Sequence, residues 1–225
     1  MVLAGLRRAV ERLPVVSEVY RSMRDQYRIA RLSAKPTPFG VLFAGHAKMV
    51  FGAFEPEETR FIQSSLADLD ISADVGANLG LYACLAREAG KQVVAVEPLP
   101  ENVSGLLLNL HANGFDDVEV FPVGLSEQPG LLTLFGGGTG ASLVAGWAGG
   151  SLRYRRLVAV STLDLLIGQR FDGRRLVIKV DMEGAEFAVL RVANDAHWGR
   201  SRPLWMGEVC LTEHRPSRSG ISRRI

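Results

Sequence analysis

Residues 71–82 read ISADVGANLGLY. An apolar strand, Ile71–Val75, runs into a turn holding Gly76 and Gly80, and a helix over Leu79–Ala89 ends at Gly90. Strand, glycine turn and helix in that order open a parallel α/β unit. The same alternation continues outward from it. Further strands are expected at Gln92–Glu97, Val118–Val123, Leu176–Asp181 and Leu204–Val209, with helices at Glu101–Ala112 and Ala185–Ala193. Strands such as QVVAV and RLVIKV are near-continuous apolar runs, which calls for cover on both faces. The expectation is a doubly wound, mostly parallel sheet. An insertion between the third and fourth strands reads as a β-excursion: GLLTLF, then GGGTGASL, then YRRLVAV.

The turn is not built for a dinucleotide. That fingerprint is G-x-G-x-x-G, which lets the backbone approach a pyrophosphate. Here Gly76 would be its first glycine, but position 78 is asparagine and position 81 leucine. The pattern is D-x-G-x-N-x-G, with Asp74 at the strand end, where a carboxylate would repel a pyrophosphate. It suits a cationic ligand without phosphate, and S-adenosylmethionine, with a sulfonium and an ammonium, is one. Glu97 ends the second strand, 21 residues after Gly76, where a carboxylate can accept ribose hydroxyls. Two plainer readings stand beside this one: Asn78 as a helix cap, and a nicotinamide-dependent oxidoreductase, which NADH binding would favour.

Four stretches together resemble the FkbM-type S-adenosylmethionine-dependent methyltransferases, a branch of the class I, Rossmann-like enzymes. They are DVGANLG (74–80), VEPLPEN (96–102), STLDLL (161–166) and VIKVDMEGAEFAVL (177–190). The resemblance runs from about Glu57 to Val209. It implies cofactor contacts from Asp74, Gly76, Asn78, Gly80 and Glu97, and methylation of a hydroxyl on a sugar or secondary metabolite. It also matches Asp164 and Ser142 to family positions. Asp164, however, follows Ser161 and Thr162 as a helix start would.

The KVDMEGAE block carries chemistry of its own. Lys179 sits inside a strand expected to be covered on both faces, and lysine is almost never buried unpaired. It is expected to reach Asp181, two residues on along the same strand face, or Glu208 at the end of the fifth strand. Asp181 and Glu183 then stand at the mouth as candidates for a general base, with Lys179 orienting one of them. A structural ion-pair cluster is the alternative. A D-x-E pair could also hold magnesium, but two carboxylates are a thin set, so no metal is expected. Glu186 falls in the first turn of the next helix, where the dipole favours it.

The 225 residues, 47% apolar and 22% charged, suffice for one domain with a sizeable core. The expected division is an N-terminal extension over 1–56, a methyltransferase domain over 57–210 and a polar tail over 211–225. The extension holds amphipathic helices over 3–13 and 16–27, then short strands near Val41–Ala44 and Lys48–Phe51; a helix over Pro56–Leu69 opens the domain. After Cys210 fifteen arginine-rich residues remain, too few for the closing helix and strand pair of a class I sheet. That pair is therefore expected to be absent, its edge open to a second copy, and a catalytically impaired binding protein is the corresponding alternative.

Residues 1–35 carry a net +5 and residues 211–225 a net +3, so the total of +2 leaves −6 for the middle. An acidic body argues against nucleic-acid binding, while the basic ends are either solvated faces or a peripheral contact to an anionic membrane. The two cysteines show no metal or disulfide spacing, which fits a reducing cytoplasm. No apolar run is long enough to span a bilayer. His46, His111, His197 and His214 show no zinc-ligand spacing.

Overall fold

The computed structural model describes Tyr27 and residues 31–147, 152, 154–186, 189, 190 and 203–207. The two N-terminal helices apart from Tyr27, the tail over 211–225, Glu208, Cys210, His197 and His214 lie outside the described residues, as does most of the helix expected over Ala185–Ala193.

Strands β1 (Lys35–Pro36) and β2 (Leu42–Phe43) pair antiparallel. The segment expected as a strand at Lys48–Phe51 is instead a short helix, α1 (Ala47–Val50). Met49 and Val50 are both buried although adjacent, which a strand turned half to solvent would not allow. Val50 and Phe51 donate back to His46 O and Ala47 O at 3.1 and 2.9 Å, and Ala53 N closes the end on Lys48 O at 2.8 Å. Helix α2 (Pro56–Leu66) begins on a proline with Glu57 and Glu58 in its first turn.

The parallel unit follows: β3 (Ile71–Val75), α3 (Leu81–Glu88), β4 (Gln92–Val96), α4 (Pro100–Ala112) and β5 (Glu119–Phe121). The excursion is β6 (Gly124–Leu125), β7 (Gly130–Phe135) and β8 (Arg155–Ser161), a three-stranded sheet of order β6-β8-β7. Helix α5 (Leu163–Leu166) leads back to β9 (Leu176–Val180), and β10 (Leu204–Gly207) follows.

The main sheet has the order β10-β9-β3-β4-β5 with every pair parallel. It is the α/β, methyltransferase-like sheet anticipated from the strand pattern. The chain builds outward from β3 through β4 to β5, then returns to lay β9 on the other side of β3. Crossovers therefore diverge beyond the carboxyl ends of β3 and β9, where such sheets leave a crevice.

Helices α2, α3 and α4 cover one face with the segment 41–50. There Phe43, Met49, Ile62, Leu85 and Leu106 join one core cluster. Part of the expected N-terminal extension is thus core of the domain. The other face packs Ile71, Ile178 and Val180 against Leu163 and Ile167. Each such aliphatic, fully buried, contributes ~1.5–3 kcal/mol.

Segment 41–44 is held by side chains from α4. Asn109, wholly buried, accepts from Ala44 N at 2.7 Å and donates to Ala44 O at 3.0 Å and Leu79 O at 2.8 Å. One turn later Asn113 treats Leu42 in the same way, at 2.8 and 2.7 Å. Two amide side chains thereby do what a neighbouring strand would do.

Candidate functional site

The residues singled out in the sequence converge at the carboxyl edge of β3, β4 and β9. A cavity there is lined by Gly76 and Asn78 from the first turn, Glu97 and Asn102 beyond β4, and Asp181 and Glu183 beyond β9.

Gly76 has φ of 82°, and a Cβ there would lie 1.8 Å from Asp181 O. The glycine is required by the neighbouring backbone, which presses the DVGAN and DMEG turns together; Asp181 N completes the join on Val75 O at 3.0 Å. Gly80 has a packing part in the structure. It lies off the cavity, where a Cβ would meet Leu106 Cδ1 at 2.1 Å, so its smallness lets α4 pack on the turn.

Asn78 is not the helix cap. Gly80 occupies that position, without a side-chain cap bond. Asn78 has left-handed backbone, φ 52°, and its buried Oδ1 has no hydrogen-bond partner among the described residues. Its N–H donates to Glu97 Oε2 at 2.8 Å. Glu97 Oε1 accepts from Leu99 N at 2.9 Å and from Asn102 Nδ2 at 3.2 Å. Burial pushes the Glu97 carboxyl up to about 7, while these three donors pull the other way. A carboxylate has roughly four lone-pair positions, so one on Oε2 remains for a ligand donor.

Asp74 lies beneath the cavity instead of lining it. Its Oδ2 accepts from Ala83 N at 3.1 Å, tying β3 to the first turn of α3. Burial pushes this carboxyl up to about 6, against the pull of Lys179. Its Oδ1 has no hydrogen-bond partner among the described residues.

Lys179 pairs with Asp181, one of its two expected partners, Nζ to Oδ2 at 2.8 Å, and lies 4.8 Å from the Tyr82 ring centroid. Burial works against the Lys179 charge, yet Asp181 and Asp74 outweigh it and hold the ammonium above its ordinary range. The Tyr82 hydroxyl donates to Glu55 Oε2 at 2.8 Å. Burial and the adjacent Glu55 push Glu58 up to about 7. Glu55 and Tyr82 carried no sequence signal, because one precedes a helix and the other sits on a buried helix face.

The DMEG turn is held from both sides. Glu186 Oε1 accepts from Met182 N at 2.7 Å and Gly184 N at 3.1 Å, so it supports a turn more than a dipole. Glu183 has φ of 53°. From the excursion, Ser142 Oγ donates to Glu183 O at 2.6 Å and Trp147 Nε1 to Glu183 Oε2 at 2.9 Å. Trp147 and Asn102 were both missed by sequence reasoning. Asn102 closes the VEPLPEN stretch, and its spacing from Glu97 was the available signal; Trp147, in a glycine-rich loop, offered none. Thr162 caps α5, as the Ser161–Thr162 helix start predicts, accepting from Leu165 N at 3.2 Å, with Asp164 in the first turn. Cys84 is buried, its thiol pushed up to about 12 by that burial, and serves as a small apolar residue. No helix among the described residues is long and apolar enough to cross a membrane.

The methyltransferase FkbM domain family matches residues 74–217, more than half the chain. No curated protein sequence matches significantly. Among solved structures, one similar chain is a provisionally assigned RNA methyltransferase from Pyrococcus horikoshii. It is 22% identical with a TM-score of 0.28, and the match covers 44% of this chain and half of that one.

Proposed function

The chain belongs to the methyltransferase FkbM domain family, and from that premise we propose that it is an S-adenosylmethionine-dependent O-methyltransferase acting on a hydroxyl of a sugar or secondary metabolite. The observation that carries the proposal is the Asn78–Glu97 contact at the cavity floor, where the sheet's crossovers diverge.

The residues fit the cofactor. Gly76 offers bare backbone, Asn78 Oδ1 is a buried acceptor without a partner among the described residues, and Glu97 Oε2 keeps a lone-pair position for a ribose hydroxyl. Gly76, Asn78 and Glu97 would hold the ligand. Asp74 and Gly80 would act from behind, fixing the helix and the turn. When bound, S-adenosylmethionine supplies a methyl group on a positively charged sulfur, whose departure as a neutral thioether is favourable.

The chain's own contribution is orientation and a proton acceptor. Aligning the acceptor oxygen can supply ~7–11 kcal/mol of a barrier. A carboxylate that takes the hydroxyl proton as the new O–C bond forms adds ~10²–10⁴-fold. Asp181 and Glu183 line the cavity and are the two candidates, with Lys179 holding Asp181 in place. The absence of metal or disulfide spacing between the two cysteines supports a cytoplasmic setting.

The test is calorimetric titration of S-adenosylmethionine and its demethylated product, S-adenosylhomocysteine, with NADH as control. Binding of both, lost in Glu97→Ala, is the expected result. Binding of NADH alone would replace this reading with an oxidoreductase. Binding of neither compound by a folded protein would refute it.

A further inference from the structure

The excursion does more than stand beside the cavity. Its tip, residues 136–147, crosses the mouth, and Gly138, Ala141 and Leu143 form the wall facing Asn78 and Glu97. With the tip seated, the cavity measures ≈ 50 Å³. Sites for ligands of drug or cofactor size are about 300–1,000 Å³, so an adenosine-bearing molecule enters only if this wall moves.

Movement can be confined to the tip, because the base of the excursion is anchored. Leu134, Val158 and Val160 pack on Leu99. Arg156 Nη1 donates to buried Glu101 Oε2 at 2.7 Å and Arg156 Nη2 to the Tyr154 hydroxyl at 2.7 Å. The tip itself packs Ala141 and Leu143 on that cluster and, among the described residues, is joined to the body by three polar contacts. Asn102 Nδ2 reaches Gly138 O at 3.2 Å, and the other two are the Ser142 and Trp147 contacts, both made to Glu183. The indole lies so close to the turn that a Cβ on Gly184 would be 2.3 Å from its Cε3 atom.

We infer that Ser142 and Trp147 are a latch: the contacts that seat the tip over the cofactor cavity are the ones that hold Glu183, Ser142 on its backbone carbonyl and Trp147 on its carboxylate. The inference rests on the proposed function, since it takes the cavity to be the cofactor's. Lifting the tip opens the cavity and removes the Ser142 and Trp147 contacts from Glu183; seating it encloses the ligand and restores them. Trp147 is then a positioning residue, and cofactor exchange excludes base presentation. Lids of this kind commonly set the rate of product release.

The test measures association and dissociation of S-adenosylhomocysteine on the immobilised full chain by surface plasmon resonance. Wild-type association is expected to level off with concentration, because opening of the tip precedes binding. Ser142→Ala and Trp147→Phe should each raise that limiting rate about fivefold, the effect of one hydrogen bond of ordinary net strength, and the double variant roughly 30-fold. Phenylalanine keeps an aromatic ring on Gly184, and a melting curve for each variant confirms folding. Amide hydrogen exchange in 136–144 should slow when the product binds. Association that rises linearly with concentration in wild type and is unchanged in folded variants would overturn the latch while leaving the cofactor site intact. Binding by neither wild type nor double variant would overturn both. Binding by the double variant alone would support the latch.

Discussion

Replacing Asn109 with alanine probes the least conventional join in the fold. The side chain is wholly buried and satisfies three backbone groups: Ala44 N, Ala44 O and Leu79 O. Alanine leaves all three without a partner in a place water does not reach. An unsatisfied buried backbone group costs about 1–3 kcal/mol, so the substitution should destabilise by at least ~3 kcal/mol and by as much as ~6 with incomplete additivity. That is a large part of the ~5–15 kcal/mol available to a domain of this kind. The assay is urea unfolding followed by circular dichroism at 25 °C, comparing midpoints at unchanged slope. Asn113→Ala is the internal control. It loses the same kind of contacts to Leu42, but in an exposed setting where water substitutes, and should cost ~1 kcal/mol. Asn109→Asp should be no better than alanine, because it turns a shared donor into an oxygen facing two carbonyls. Equal costs for Asn109→Ala and Asn113→Ala would refute the claim that burial of the paired groups makes Asn109 matter.

Three further expectations can be checked with the same equipment. Gly76→Ala must place a Cβ where Asp181 O lies, on a left-handed backbone, and should abolish folding or shift the urea midpoint far more than Gly90→Ala. Gly90 shares the positive φ but has open space around it, so only the ~1–2 kcal/mol of backbone strain applies there; equal effects would sink the argument. Stability of the ligand-free protein should fall as pH rises from about 4.5 through about 7. The cause is that Glu97, Glu58 and Asp74 are raised to about 7, 7 and 6, so the folded state holds their protons longer than the unfolded chain does. Asp70, lowered to about 2 by its hydrogen bonds from Arg175, acts in the opposite sense but only below about pH 4. Stability rising across the upper window would contradict the assignment. Lys179→Met removes the cation beside Asp181 and Asp74 and should cost ~3–5 kcal/mol at pH 8. The loss should be smaller at pH 5, where buried Asp74 can take a proton; an equal loss at both would show that packing, not charge, is what Lys179 provides.

The parts of the fold that were legible in the sequence are those where a single chemical requirement dictates the residues. Strands β3, β4 and β9 are covered on both faces, so they are mostly apolar, and Lys179 stood out because only a paired lysine is tolerated there. The Asp74–Gly80 and Asp181–Gly184 turns were visible for the same reason. What could not be read depends on contacts distant in sequence. Helix α1 reads as a strand in the sequence because a short apolar run has no distinguishing period. Asn109 and Asn113 looked like ordinary polar residues on a helix, since their partners lie 65 and 71 residues away. The packing of Gly80 against Leu106 has no local signature. Trp147 gains its meaning only once the excursion folds back over Glu183.

The crowding of Gly76 against the Asp181 carbonyl bears on how this domain could be recombined. The two turns are about a hundred residues apart in the chain, yet one occupies the volume the other vacates. A chimera that exchanges residues 74–80 with another protein imports a turn shaped for a different carbonyl, and one that exchanges 179–184 alone makes the reciprocal error. Crossover points placed between the two segments separate halves that were fitted to each other. Grafts that carry both turns together preserve the fit, so the smallest transplantable unit here is a pair of loops, discontinuous in sequence and continuous in space.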